Sequence, residues 1–129
     1  MHFAYTIVYV ANVEKSLAFF ERAFGLKRRF LAPGEGYGEL ETGGTTLSFA
    51  HHDIARGNLG QDYVAADGSK QPLGMEIGLV ATDVPAACER AVAAGATLLA
   101  PPKVKPWGQT VAYVRCPDGT LVEICTAMD

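Results

Sequence analysis

The sequence predicts one α+β domain built from two tandem copies of a β-α-β-β-β unit, and three observations carry that prediction. A chain of 129 residues with 49% hydrophobic and 19% charged side chains fits a single domain with a core of its own. A polar helix-capping residue, an apolar stripe and a stopping glycine occur in that order twice, with the caps Asn12 and Asp83 placed 71 positions apart. Gly44-Thr45 and Gly119-Thr120, 75 positions apart, stand at the start of the last strand of each unit.

Residues 3–10 are aromatic and β-branched and read as a strand. Asn12 then caps a helix in which Val13, Leu17, Phe20 and Phe24 recur at helical spacing until Gly25 stops it. Strands follow over about 26–32, 36–42 and 45–51, with Pro33-Gly34 and Gly43-Gly44 as turns. The second unit repeats the order. A strand spans 75–82, Asp83 caps, and Val84, Cys88, Ala91 and Val92 form the stripe before Gly95. Strands near 96–100, 109–116 and 120–126 follow, separated by Pro101-Pro102 and by the turn Pro117-Asp118-Gly119. Module one thus covers about 1–51 and module two about 73–129. Residues 52–72, polar and containing Gly57, Gly60 and Gly68, show no periodicity and read as a loop, either a linker or a lid.

Composition excludes several classes of function. Eleven basic and 14 acidic side chains give a net charge of −3, with no basic field for nucleic acid or an anionic membrane. The three cysteines, Cys88, Cys116 and Cys125, have no CxxC spacing and apolar neighbours, as expected of buried thiols in a reducing compartment. The start of the chain lacks a basic n-region, and no apolar run reaches the roughly 20 residues that span a bilayer. A cytoplasmic protein is expected. Gly34-Glu35-Gly36-Tyr37-Gly38 lies between strands and precedes no helix, so it reads as a hairpin and not a nucleotide site.

Strand alternation then separates a helix-covering face from a face free for chemistry. Val8 and Val10 oppose Phe3, Tyr5, Ile7 and Tyr9; Leu47 and Phe49 oppose Thr46, Ser48 and Ala50. In module two Met75, Ile77 and Leu79 oppose Glu76, Gly78 and Val80, and Val122 and Ile124 oppose Leu121, Glu123 and Cys125. The aliphatic set must cover the helix, which leaves Tyr5, Ser48, Glu76 and Glu123 together on the other faces. Isolated carboxylates among apolar side chains are costly unless paired, hydrated or bound. A solvated outer face would account for them too, but their mid-strand positions and the space left by Gly78 favour a cavity.

This pattern resembles the vicinal oxygen chelate superfamily, which includes glyoxalase I, extradiol dioxygenases and bleomycin-resistance proteins. The resemblance spans nearly the whole chain. It is carried in module one by Val10-Ala11-Asn12-Val13-Glu14-Lys15-Ser16-Leu17-Ala18-Phe19-Phe20 leading to Phe24-Gly25-Leu26. In module two it is carried by Asp83-Val84-Pro85, Ala94-Gly95-Ala96, Pro101-Pro102, Trp107-Gly108 and Pro117-Asp118-Gly119-Thr120-Leu121-Val122-Glu123-Ile124. The resemblance implies curved mixed sheets that form a cup, a small organic ligand inside it, and a homodimer. It leaves open whether the cup forms within one chain or between two. The metal-ligand positions of the family's enzymes fall on Tyr5, Ser48, Glu76 and Glu123, where histidine, glutamine or glutamate is usual. Only Glu76 and Glu123 fit; neutral tyrosine and serine oxygens are weak donors, so the ligand set for a divalent metal is incomplete. No cofactor is expected, and any metal would rest on Glu76 and Glu123.

Two readings follow. In the first, an acidic, aromatic-lined cup sequesters a small, cationic or hydrogen-bond-donating molecule. In the second, the chain is a lyase, isomerase or dioxygenase-like enzyme with Glu76 or Glu123 as general base or as ligands of a weakly held divalent ion. Trp107, the only tryptophan, sits in a Lys-Pro-Trp-Gly-Gln loop that the resemblance places at the mouth of the cup, where it stacks on ligand or serves packing. His51-His52-Asp53 ends a strand whose adjacent side chains point to opposite faces, which argues against one shared ion. His52 with Arg56 is a candidate ligand contact from the 52–72 segment, whereas Tyr37, Tyr63 and Tyr113 divide between packing and cavity lining.

Overall fold

The computed structural model describes residues 1–128 and has the expected α+β architecture. Strand β1 (Tyr5–Val10), helix α1 (Val13–Phe24) and strands β2 (Lys27–Leu31), β3 (Tyr37–Glu41) and β4 (Thr46–His51) form module one. A short helix α2 (His52–Leu59) follows. Module two comprises β5 (Ile77–Val80), α3 (Val84–Ala94), β6 (Thr97–Val104), β7 (Thr110–Arg115) and β8 (Leu121–Cys125). Each module is an open four-stranded mixed sheet, ordered β1-β4-β3-β2 and β5-β8-β7-β6, in which only the first and last strands run parallel.

The two helices begin and end where their caps place them. The Asn12 side chain accepts from the Lys15 backbone N–H at 2.9 Å, and Asp83 accepts from Ala86 at 3.1 Å. Gly25 closes α1 at φ +68°, where its N–H reaches the Glu21 carbonyl. Phe20, Leu17 and Val13 from α1 lie on Phe49, Leu40 and Val10, all essentially without exposed surface. Val84, Cys88 and Ala91 from α3 similarly cover Val122, Ile124, Ala112 and Val114. Helices α1 and α3 also pack against each other, so the two modules share one apolar core. Arg90 ties that junction by donating to the Arg22 carbonyl at 2.8 Å.

Three local expectations change. The segment 52–72 opens as a helix: the His51 imidazole caps it by accepting from the Asp53 N–H at 3.0 Å, and Ala55 and His52 turn inward. Strand β6 continues through Pro101-Pro102 to Val104 and does not stop at residue 100. It lies at the edge of its sheet, where a missing N–H costs little, and its register slips on either side of Ala100. Strand β5 is shorter than 75–82, so Glu76 stands at its entrance, exposed, and not mid-strand.

The rest of the segment is fastened to module two. The Arg115 guanidinium donates to the carbonyls of Ala66 at 2.9 Å, Ser69 at 2.8 Å and Lys70 at 3.3 Å. Gly119 adopts φ +89°, and a Cβ there would fall 2.2 Å from the Ala66 oxygen, so this turn requires glycine both for conformation and for space. No helix among the described residues is long and apolar enough to cross a membrane.

Candidate functional site

Register puts equivalent positions of the two modules on matching rungs. In module one Ile7, Ser48 and Glu39 lie side by side across β1, β4 and β3. In module two Gly78, Glu123 and Tyr113 do so across β5, β8 and β7. Each rung is on the sheet face opposite its helix, because Val8, Phe49 and Gly38, and Leu79, Ile124 and Ala112, alternate with it toward the core.

In module two the Tyr113 hydroxyl donates to Glu123 at 3.2 Å. Glu76 lies close enough to Glu123 for the two charges to interact. Glu76 reaches solvent, but partial desolvation against the sheet, and then that neighbouring charge, raise its carboxyl from the ordinary carboxylate value. Burial together with the charges of Glu76 and Glu123 also raises the Tyr113 phenol, which therefore stays a donor. Gly78 leaves the Glu123 carboxylate open from above: a Cβ there would lie 3.7 Å from it. Two adjacent carboxylates with a phenol donor on an open face attract a cation or a hydrogen-bond donor, or allow one protonated carboxyl to give up its proton.

Module one is built differently. Ser48 is fully buried; its hydroxyl donates to the Thr6 carbonyl at 3.2 Å and lies against the Tyr37 phenol. Tyr5 is more than half exposed at the start of β1. The acidic group on this face is Glu39, which accepts from the Tyr37 hydroxyl at 2.7 Å and pairs with Arg29 at 3.1 Å. Arg29 also holds Glu41 at 2.8 Å. The module-one candidates read from the sequence, Tyr5 and Ser48, carry only hydroxyls, and Glu39 is not among them. Alternation in β3, with Tyr37, Glu39 and Glu41 opposite Gly38 and Leu40, was the available signal.

The remaining candidates lie elsewhere. Trp107 is 64% exposed on the β6–β7 turn and donates to Gln109 at 2.7 Å. His52 is buried, with Nε2 at 2.9 and 3.1 Å from the two Asp67 oxygens and Nδ1 bonded to the Tyr63 hydroxyl. Arg56 pairs with Asp62 at 2.9 Å and lies 5.1 Å from the centre of the Tyr63 ring. No hydrogen bond or ion pair among the described residues joins Tyr5 and Ser48 to Glu76 and Glu123. Among those residues no three His, Cys, Asp or Glu side chains converge on one point. Two carboxylates with a buried serine and an exposed tyrosine do not fit a tightly held Zn²⁺ or Ni²⁺ within one chain.

Comparison with known proteins agrees with this architecture. A family model described as the Glyoxalase/Bleomycin resistance protein/Dioxygenase superfamily matches residues 2–124. A lactoylglutathione lyase of Neisseria meningitidis is 31% identical over 134 aligned positions, covering 95% of this chain and 88% of the relative. A glyoxalase-related enzyme from Fulvimarina pelagi superposes with a TM-score of 0.81 at 25% identity, over 98% of this chain and 88% of the other. A hypothetical protein from S. aureus gives 0.80 at 19% identity, over 98% and 94%, a likeness of fold alone.

Proposed function

The chain belongs to the Glyoxalase/Bleomycin resistance protein/Dioxygenase superfamily, and from that premise we propose that it binds a small organic cation on the open face of its second sheet. The observation that carries this reading is the Glu76–Glu123 pair, whose mutual charge is relieved when a cation settles between them. Tyr113 orients Glu123, and Gly78 leaves the approach clear. No step through a metal ion is drawn from this donor set. The protein is proposed to act in the cytoplasm as a homodimer, whose outer sheet faces supply further walls to the ligand.

Calorimetric titration with a panel of mono- and dicationic amines tests the reading. Binding is expected, and Glu123→Gln should weaken it by about 1.5–3 kcal/mol, the usual loss for a hydrogen bond to a charged group. If no amine binds, or if Glu123→Gln binds as well as the parent, the reading fails.

The likeness to lactoylglutathione lyase, together with the raised Glu76 carboxyl, favours a second reading, in which Glu76 moves a proton in a lyase reaction. Formation of lactoylglutathione that is lost in Glu76→Gln supports it. Absence of that activity with Zn²⁺, Ni²⁺ or Mn²⁺ supplied removes it.

A further inference from the structure

The seam between α1 and α3 ends differently on its two sides. At one end the start of α1 meets the β7–β8 turn, and the Ser16 hydroxyl donates to Asp118 at 2.8 Å. The buried Phe19 ring lines what space is left there, a cavity of about 170 Å³. The 71-residue offset of the repeat carries Ser16 to Ala87 and Phe19 to Arg90, and the 75-residue offset carries Asp118 to Gly43. Neither Ala87 nor Gly43 has a polar side chain to close the opposite end. A cavity of about 470 Å³ stands open there, between the end of α1, the start of α3 and the free edge of β5. That volume lies within the range of small-molecule sites.

The wall of this open cavity is mostly apolar, with Phe24, Leu26, Leu79 and Val80 prominent, and Arg90 is its one charged side chain. The Thr42 hydroxyl, also on the wall, is engaged within its own turn by the Thr45 carbonyl at 2.7 Å and the Leu47 N–H at 3.0 Å. The Arg90 guanidinium stands exposed at the mouth, yet it is held in place. Its Nε donates to the Arg22 carbonyl at 2.8 Å. The group lies against Gly25, where a Cβ would stand 3.1 Å from Nη1 and 3.5 Å from both Cζ and Nη2. Glycine at this position therefore serves the left-handed cap and also seats the guanidinium. Nη1 and Nη2 meet no acceptor among the described residues. A fixed guanidinium with both outer nitrogens unpaired, beside apolar surface, complements a carboxylate carried on an apolar body.

We propose that this cavity is a second ligand site, taking a small apolar monocarboxylate whose two oxygens accept from Nη1 and Nη2 of Arg90. The body of the ligand lies over Phe24, Leu26 and Val80. The site prefers the charge opposite to that favoured by the open face of the second sheet, and the two share no charged group.

3-Phenylpropionate, with 3-phenylpropionamide as its uncharged counterpart, is the probe, read by heteronuclear NMR of the backbone amides and the Arg90 Nε–H. Millimolar 3-phenylpropionate should shift the amides of Gly25, Val80 and Ala87 together with the Arg90 Nε–H. The amide should bind at least about tenfold more weakly, because it lacks the charge. Inorganic phosphate should bind weakly to the same degree, because it has no body to cover the wall. Arg90→Gln should weaken 3-phenylpropionate about tenfold or more. Arg90 also ties the seam, so Ala86→Glu gives an independent check. Position 86 lies three residues after the Asp83 cap and one turn before Arg90. A glutamate there completes a capping box and pairs with Arg90 from within the chain. Ala86→Glu should melt at or above the parent and lose probe affinity at least about tenfold, whereas Ala86→Gln should keep most of it. Unchanged affinity in Arg90→Gln overturns the proposal, as do equal effects of the two Ala86 substitutions, equal binding of the amide or of phosphate, or no shift at Arg90 Nε–H.

Discussion

Glu76 is held at a cost that pH exposes. The folded protein binds its proton more tightly than the unfolded chain does, through partial desolvation and then the Glu123 charge. Such a carboxyl contributes to stability below its ordinary value of 4.5 and loses that contribution as pH rises through its raised value. Glu76→Gln never ionises. It should therefore melt at or above the parent near neutral pH, and the advantage should vanish on acidification past the ordinary carboxylate range. Calorimetric melts across that interval decide it, and a variant less stable than the parent near neutral pH would contradict the arrangement. The three thiols give a second check at this scale. Cys88, Cys116 and Cys125 are buried, and desolvation raises all three. None should react with a disulfide reagent in the native protein, and all three should react in denaturant.

At the scale of elements, caps and turns govern stability where the core does not. Asp83→Ala leaves α3 without its side-chain acceptor and should cost about 1 kcal/mol in denaturant unfolding. Gly119→Ala meets both a left-handed backbone and the Ala66 carbonyl, so it should cost more than the cap, about 2 kcal/mol or above. A smaller loss there would mean that the segment 60–76 moves aside freely. These elements were legible in the sequence because their signals are local: Asn12, Gly25, Asp83 and Gly95 mark ends that backbone geometry alone demands. Helix α2 was not legible, since its inward face is only His52 and Ala55 and its anchor is a tertiary network through Tyr63 and Asp67. The run of β6 through two prolines depended on its being an edge, which is a property of the sheet and not of the segment. The candidate site was legible to the same depth. Alternation found Glu123 on the face opposite the helix. It could not show that Ser48 is buried and bonded to Thr6, or that Arg29 gathers Glu39 and Glu41.

For the whole molecule, the decisive contact is α1 on α3, because it merges two half-cores into one. Phe19, Phe20 and Ala23 on one side and Cys88 and Ala91 on the other all belong to that shared cluster. A chain ending at residue 72 would expose part of this surface, and a domain of that size is marginal even when intact. Neither residues 1–72 nor residues 73–129 alone should give a cooperative thermal transition by circular dichroism, whereas the two mixed should regain one. Cooperative melting of either half alone would show that the modules are independent units.

Cohesion and recognition are written on alternate residues of the same strands. Val8, Phe49, Leu79 and Ile124 face the helices, while their immediate neighbours Ile7, Ser48, Gly78 and Glu123 share the rungs of the outer faces. Drift at one set barely touches the other, so a lineage carrying this sheet is free to change its chemical taste while keeping its fold. Randomising the exposed members of the outer set should yield a library in which most variants still fold, and randomising the inner set should yield one in which few do.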